Sequence, residues 1–229
     1  MALAEEGVKV AVNYCSNTER AKATVREIKS RHRTEAIAVQ ANVSNSEEVE
    51  QMFERVEGEM GLVDILVNNA GIWPAAYVKD MTEEQWDATI DVNLKGPFLT
   101  CRQAVQRWLA TGGSGRIVNI SSQAAFYGST TGHADYAAAK AALVNFTKSL
   151  AREVAKDGIY VNAVAPGFMD TDMAREAFEK GRERYLERIP LGSIADPAEV
   201  AWMVVFLASD RASYITGATM DVSGGMIMR

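Results

Sequence analysis

The sequence predicts an α/β fold built on a doubly wound parallel sheet. Short apolar runs rich in Val and Ile alternate with longer segments of helical periodicity along all 229 residues. Strands that alternate with helices pair in parallel and are covered by helices on both faces. Right-handed crossovers then favour a Rossmann-like arrangement. No repeat, low-complexity segment or linker divides the chain, so we expect one domain over residues 1–229.

The first half of the chain contains three predicted strands and two charged helices. After Gly7, a β-branched run that contains Val8, Val10 and Val12 predicts the first strand. The predicted strands are residues 7–13, 36–43 and 63–67. The predicted helices are residues 18–33, with Ala21, Val25 and Ile28 on one face, and the segment after a Ser44 or Asn45 cap, with Val49, Phe53 and Val56 on one face.

The second half of the chain continues the alternation. Thr82-Glu83-Glu84-Gln85 is a capping box, and it opens a helical stretch that reaches about residue 109. Pro97 lies inside this stretch and should kink the helix or mark its weak point. The further predicted strands are residues 116–120, 160–165 and 218–222, and the further predicted helices are residues 135–155, 170–187 and 197–207.

Composition excludes several classes of function. The 24 Lys and Arg against 30 Asp and Glu give a net charge of −6, which disfavours binding to nucleic-acid phosphates. Two cysteines, Cys15 and Cys101, cannot form a disulfide framework and indicate a reducing compartment. No apolar stretch approaches the ~18–20 residues of a membrane span, and the N-terminal residues lack the features of a signal peptide. We therefore expect a cytoplasmic protein that binds neither nucleic acid nor membrane.

Tyr136 and Lys140 occupy i, i+4 positions of a predicted helix, which puts a phenol and an ammonium on one helix face. Such a lysine stabilises the phenolate and lowers the tyrosine pKa, so the phenol becomes a proton donor near neutral pH. Chance alone gives about 0.3 such pairs in a chain of this composition, so the pair needs context. Ser122 supplies it, because this serine follows a predicted strand and its hydroxyl could polarise a carbonyl. A turn-forming or capping serine is the alternative.

A second strand end carries small residues. Asn68, Asn69, Ala70 and Gly71 follow the predicted strand at residues 63–67. Small residues there allow a ligand to approach the backbone closely. The alternative is an ordinary strand-to-loop turn.

Taken together, these segments resemble the short-chain dehydrogenase/reductase family over the whole chain. The resemblance rests on NNAG at 68–71, VNLKG with Asn93, ISS ending at Ser122, YAAAK at 136–140, and APG at 165–167 followed by Thr171. Their order and spacing are specific in combination, although no single motif is decisive. The segments TKSLAREVA, VAPGFMDTDM and FLASDRASYITGATMDVSGGM are similar to the family's 3-oxoacyl-[acyl-carrier-protein] reductases.

The resemblance implies a catalytic set of four residues. Tyr136 would be the general acid/base, and Lys140 would lower its pKa and contact the nicotinamide ribose. Ser122 would bind the substrate oxygen, and Asn93 would hold a water of the proton relay through its helix backbone. Ser122 stands 14 residues before Tyr136, one more than is common in the family, and a longer loop absorbs the extra residue.

The resemblance also implies a nicotinamide cofactor. The contacting residues would be Asn42 and Val43 beside the adenine, Asn69, Ala70 and Gly71 along the cofactor, Met169 and Thr171 at the carboxamide, and again Tyr136 and Lys140.

The end of the first predicted strand bears on the choice of cofactor. An NAD-selective site places a carboxylate there to bind the ribose 2′-hydroxyl, and residues 13–17 contain no acid. Ser16, next to Cys15, or backbone N–H groups would bind a 2′-phosphate by donating hydrogen bonds to it. No arginine lies in this stretch, although arginine is a strong phosphate partner. NADP(H) is therefore the preferred cofactor, with NAD(H) as the alternative.

The start of the chain departs from the family pattern. Family members open with a strand, a Gly-rich turn and a helix whose N-terminus receives the pyrophosphate. Here MALAEEG is similar to the last turns of that helix, so we expect the first strand and the phosphate loop to be missing. That strand would lie between the strands at Val8 and Ile65. Two explanations stay open: an N-terminally shortened version of an ordinary enzyme, or a truncated relative that kept the scaffold without the cofactor.

The favoured function is NADP(H)-dependent reduction of a carbonyl to a secondary alcohol, with a small-molecule or carrier-bound 3-oxoacyl thioester as substrate. A sugar, polyol or other alcohol dehydrogenase of the same family is one alternative, and a non-catalytic scaffold or assembly module is another.

Apolar residues on more than one face of the helices at 83–109 and 135–155 predict a homotetramer or homodimer. No metal site is predicted, because His32 and His133 lack partners at metal spacing, and Trp73 is predicted to be a core residue.

Overall fold

The computed structural model describes residues 1–171, 181–183 and 185–228, and it has the predicted α/β class. The strands are β1 (Val10–Tyr14), β2 (Ala36–Gln40), β3 (Ile65–Asn68), β4 (Gly115–Ile120), β5 (Ile159–Pro166) and β6 (Thr219–Val222). The helices are α1 (Ala2–Glu5), α2 (Thr18–His32), α3 (Ser46–Met60), α4 (Glu83–Ile90), α5 (Gly96–Thr111), α6 (Ala124–Tyr127), α7 (Ala134–Val154) and α8 (Pro197–Ala208).

All strand pairings in the described part of the chain are parallel. β1 pairs with β2, while β3, β4, β5 and β6 form a second sheet in that order. No ladder joins the two sheets within the described residues. The division falls between β1 and β3, at the position where the sequence predicts a gap.

Helices cover both faces of the larger sheet, as a doubly wound fold requires. On one face, α3, α5 and α7 pack against Ile117 and Val161. On the other face, α8 packs against Val118 and Val164. Neighbouring residues of β4 therefore enter different cores, because side chains alternate across a strand. A smaller cluster joins α1, α2 and β2 around Ile28.

The ends of several elements follow from local chemistry. Asn45 caps α3 by accepting hydrogen bonds from the backbone N–H groups of Glu47 and Glu48. The first strand begins at Val10 rather than at Gly7, because Gly7 and Val8 close the end of α1. Val8 N–H donates to the Leu3 carbonyl and Gly7 N–H to the Ala4 carbonyl, with Gly7 at a φ of +81°.

The predicted long helix at residues 83–109 is divided by a π-turn. Residues Asp91–Lys95 form this turn, and Gly96 N–H donates to the Asp91 carbonyl five residues earlier. Pro97 follows within the first turn of α5 and has no N–H to offer the Asn93 carbonyl. Pro97 therefore lies beside an irregular part of the helix, as the predicted weak point implies, and the irregularity is a change of helical register.

Two further observations complete the fold. Within the described residues, no helix has the length and apolarity needed to cross a bilayer. The predicted helix at residues 170–187 lies largely outside the described residues, which omit 172–180 and 184, although residues 181–183 are helical.

Candidate active site

A cavity of about 490 Å³ lies at the carboxyl ends of β3, β4 and β5. This is the edge at which parallel sheets with covering helices bind ligands. The cavity brings together residues that are far apart in the sequence. The predicted site residues that line it are Asn69, Gly71, Asn93, Ser122, Tyr136, Lys140, Met169 and Thr171.

Ser122 and Tyr136 meet at the wall of this cavity. Ser122 follows β4 directly, and its Oγ accepts a hydrogen bond from the Ala124 backbone N–H at 3.1 Å. Tyr136 lies in the first turn of α7 and shares a hydrogen bond with the Ser122 hydroxyl. Burial raises the pKa of the Tyr136 phenol, and the Ser122 hydrogen bond acts in the opposite direction. Two hydroxyl groups are thus held together at one point of the cavity.

Lys140 lies one helical turn after Tyr136 and is buried, with 3% of its surface exposed. Its Nζ donates to the Ile120 carbonyl at 2.8 Å and lies 5.6 Å from the centre of the Tyr136 ring. Burial lowers the pKa of the Lys140 ammonium to about 8. The sequence predicts that this lysine lowers the pKa of Tyr136, whereas here the tyrosine pKa is raised because desolvation is the larger effect.

Asn93 lies in the π-turn and is fully buried at the base of the cavity. Its Nδ2 donates to the Ile72 carbonyl at 2.9 Å and to the Thr89 carbonyl at 3.0 Å. A Cβ on Gly71 would stand 2.7 Å from Asn93 Oδ1 and 3.8 Å from Lys140 Nζ. Only glycine therefore fits beside these two polar groups.

A buried polar network connects β3 and β4 with α5 and α7. Asn68 Nδ2 donates to Asn119 Oδ1 at 2.8 Å, and Asn119 Nδ2 donates to Thr147 Oγ1 at 2.9 Å. Thr100 Oγ1 donates to Asn68 Oδ1 at 2.6 Å. Satisfied buried networks of this kind fix the relative position of the elements that they join. The first Asn of the NNAG segment therefore orders the core behind the cavity, a role that its position after a strand did not reveal.

The remaining predicted cofactor residues lie outside the lining of this cavity. Cys15 and Ser16 are exposed at the end of β1. Asn42 follows β2, and its Oδ1 accepts hydrogen bonds from the Ser44 N–H and hydroxyl. Val43 approaches the start of α5, where a Cβ on Gly96 would lie 2.8 Å from Val43 Cγ2. Ala70 is exposed between two residues that do line the cavity.

Two residues beside Tyr136 differ from their sequence-based predictions. Trp73 lines the cavity, although it is predicted to be a core residue. Its ring stacks on the buried ring of His133, with centroids 4.1 Å apart and planes 15° apart. Trp73 also meets the Tyr136 ring edge to face at 6.4 Å. The sequence offered a signal for both residues, because Trp73 follows Gly71 by two positions and His133 precedes Tyr136 by one helical turn.

The cavity residues fit the nicotinamide end of the cofactor that the resemblance implies. Gly71 presents no side chain and leaves the space beside Lys140 open. The Lys140 ammonium has three N–H donors, and within the described residues one of them donates a hydrogen bond, to the Ile120 carbonyl. The other two donors can serve ribose hydroxyl groups, and Met169 and Thr171 lie on the wall formed after β5.

Known reductases are similar to this chain over almost its whole length. The family profile described as Enoyl-(Acyl carrier protein) reductase matches residues 1–227. The 3-oxoacyl-[acyl-carrier-protein] reductase FabG of Staphylococcus epidermidis is 45% identical over 228 residues, which cover 100% of this chain and 92% of the relative. The FabG of Staphylococcus aureus has the same identity and coverage. The 3-oxoacyl-[acyl-carrier-protein] reductase of Synechocystis is 47% identical over 229 residues, with 100% of this chain and 90% of the relative covered.

Proposed function

The chain belongs to the short-chain dehydrogenase/reductase family and is an oxidoreductase, and on that premise we propose that it reduces 3-oxoacyl thioesters with NADP(H). The product is the 3-hydroxyacyl thioester. The observation that carries the reaction type is the convergence of Ser122, Tyr136 and Lys140 on one cavity. The names of the relatives, which act on 3-oxoacyl groups attached to acyl carrier protein, support the choice of substrate.

Ser122 and Tyr136 act together on the carbonyl oxygen. The Ser122 hydroxyl donates a hydrogen bond to that oxygen and stabilises the negative charge that develops on it. The Tyr136 phenol transfers its proton to the same oxygen as the alcohol forms. A nicotinamide held beside Lys140 and Gly71 would supply the hydride that reduces the carbonyl carbon. Because burial keeps the Tyr136 phenol protonated, the side chain is in the form that a carbonyl reduction requires.

Lys140 and Asn93 assist proton transfer by Tyr136 without contacting the carbonyl oxygen themselves. Lys140 holds a positive charge beneath the phenol and favours the phenolate that remains after the proton leaves. Asn93 offers its main-chain carbonyl to a water that returns a proton to the site. Pro97 cannot donate to that carbonyl, so the π-turn leaves it free of the usual helical hydrogen bond four residues on.

We propose NADP(H) as the cofactor because of the residues at the end of β1. The segment at residues 13–17 contains no carboxylate to bind a ribose 2′-hydroxyl or to repel a 2′-phosphate. The nearest acid after it, Glu19, pairs with Lys22 at 3.9 Å. Exposed Ser16 offers a hydroxyl at the same place. Asn42 and Val43 would lie beside the adenine, and Asn69 and Ala70 along the cofactor.

We also propose that residues 1–229 act as one catalytic domain in a cytoplasmic homotetramer or homodimer. Several apolar residues of α5 and α7 that suggested this assembly, including Trp108 and Leu150, are buried in the protein's own core. Phe98 remains 42% exposed on α5 and packs edge to face with Phe146 of α7 at 6.3 Å. This aromatic pair supports burial of the two helices against a second copy.

The test is a comparison of substrates and cofactors on the purified chain. NADPH and NADH are each offered with 3-oxobutyryl thioesters, and NADP⁺ and NAD⁺ are each offered, separately, with glucose and sorbitol. We expect turnover of the thioester with a higher kcat/KM for NADPH than for NADH. Turnover of the sugars without turnover of the thioester would replace the proposal with a polyol dehydrogenase. Absence of both NADPH binding and turnover would favour a non-catalytic scaffold.

A further inference from the structure

Trp73 is fixed beside the catalytic tyrosine by contacts that the proposed mechanism does not use. His133 covers one face of the indole at a centroid distance of 4.1 Å, and the planes of the two rings are 15° apart. Trp73 is partly exposed and lines the same cavity as Tyr136. The indole is therefore a wall of the cavity next to the point where the carbonyl is reduced.

Hydrogen bonds and a close backbone approach hold the loops on either side of this wall together. Ala76 N–H donates to the Gly132 carbonyl at 2.8 Å, which joins the loop after β3 to the loop before α7. Gly132 has a φ of +79°, and a Cβ there would lie 3.1 Å from the Ala76 backbone. His133 Nδ1 lies 3.0 Å from Thr131 Oγ1, which fixes the orientation of the imidazole ring. Burial also lowers the pKa of His133, so the imidazole is neutral at neutral pH.

We infer that Trp73, held by His133, determines substrate specificity by packing against the acyl carbons on the far side of the reacting ketone. A flat indole next to Tyr136 supplies apolar contact to a short acyl group and limits the space for a longer one. The inference rests on the proposed function and adds to it that short 3-oxoacyl groups are preferred. Trp73 touches substrate in this proposal, whereas His133 is a positioning residue.

The test measures kcat/KM for a series of 3-oxoacyl thioesters from 3-oxobutyryl to 3-oxodecanoyl, with NADPH as the cofactor. Methyl ketones with the same range of chain lengths form a second series. The variants are Trp73→Ala, Trp73→Phe, His133→Ala and His133→Phe. Trp86→Ala is the matched control, because Trp86 is 42% exposed on α4 and does not line the cavity.

We expect Trp73→Ala to lower kcat/KM for the shortest substrate by about tenfold or more. The same variant should raise kcat/KM for the longest substrate, which gains the space that the indole occupied, so that the preference shifts toward long chains. Trp73→Phe should shift the preference less, because a ring remains. His133→Ala should shift the preference in the same direction as Trp73→Ala, and His133→Phe should preserve it by keeping the stack. The KM for NADPH should stay near that of the wild type in all variants.

Two results would overturn the inference. One is an unchanged ratio of kcat/KM between short and long substrates in both Trp73 variants. The other is an equal loss for all chain lengths together with a raised KM for NADPH, which indicates a general structural role. A wild type that reduces methyl ketones and not thioesters refutes the proposed function alone, and the ketone series then decides the role of Trp73. A wild type that reduces neither series refutes both.

Discussion

Replacing Lys140 with methionine is expected to stabilise the fold in the absence of cofactor while removing the reductase activity. Lys140 is buried, and burial lowers its pKa from 10.5 to about 8. The charged side chain therefore opposes folding at neutral pH. Methionine has a similar length and flexibility and carries no charge, so it can occupy the same space without that cost.

The magnitude follows from the shift in pKa. A pKa that falls from 10.5 to about 8 corresponds to a cost of about 3 kcal/mol when the amine is fully protonated. Removal of the ammonium leaves the Ile120 carbonyl without its donor, which costs about 1–3 kcal/mol. The difference predicts that Lys140→Met raises the free energy of unfolding by about 1 kcal/mol near pH 7.

The pH dependence gives a sharper test, because its sign is fixed. The folded-state pKa of Lys140 lies below the unfolded-state value, so the unfolded chain binds more protons between about pH 8 and 10.5. The wild type should therefore gain about 1 kcal/mol relative to Lys140→Met as the pH rises from about 7 to about 9. Cys101 is present in both proteins, and its titration cancels in the difference.

Urea unfolding monitored by circular dichroism, at both pH values and without cofactor, measures this difference. Lys148→Met is the matched control, because Lys148 lies two turns later on α7 and is exposed. The control should change the free energy of unfolding by at most about 0.5 kcal/mol at either pH. A Lys140→Met protein that is much less stable than the wild type at both pH values, with a constant difference, would refute this view of Lys140.

Two further predictions concern close packing and thiol access. Gly71→Ala should lower the free energy of unfolding by about 1–3 kcal/mol, because the new Cβ meets Asn93 Oδ1 at 2.7 Å. Gly58→Ala on α3, where nothing lies within 4 Å, should be neutral or stabilising in the same urea titration, and equal effects would contradict the steric reason. For the thiols, Ellman's reagent should label Cys15 rapidly in the native protein and Cys101 only after unfolding, because Cys101 is buried and its pKa is raised to about 12. Rapid native labelling of both cysteines would show that the core around α5 opens.

Strands, helices and helix caps could be predicted from the sequence because each has a characteristic local pattern of residues. Apolar periodicity located the strands and most helices, and Asn45 and Thr82 act as the predicted caps of α3 and α4. The π-turn was not predictable from periodicity, because it shifts the helical register by one residue. Pro97 indicated where the helix is irregular, but it did not indicate that the irregularity is a π-turn. The end of α1 at Gly7 likewise required the hydrogen bonds of Val8 to be known.

For the site, the motifs identified the residues around the cavity, and the structure brings Asn93, Ser122, Tyr136 and Lys140 together there. Position along the chain could not give the direction of the Tyr136 pKa, which depends on how strongly the surrounding protein desolvates the phenol. The stacking of Trp73 on His133 was also beyond local patterns. It depends on the close approach of two loops that are distant in sequence.

The most direct test of the proposed function is the effect of Tyr136→Phe on NADPH-dependent reduction of a 3-oxobutyryl thioester. The substitution removes the phenolic hydroxyl and retains the ring that packs against Trp73. We expect kcat to fall by about 10²–10⁴-fold, the usual contribution of a positioned general acid, while fluorescence titration still shows NADPH binding. Turnover close to that of the wild type would contradict the assignment of Tyr136 as the proton donor, and with it the proposed mechanism.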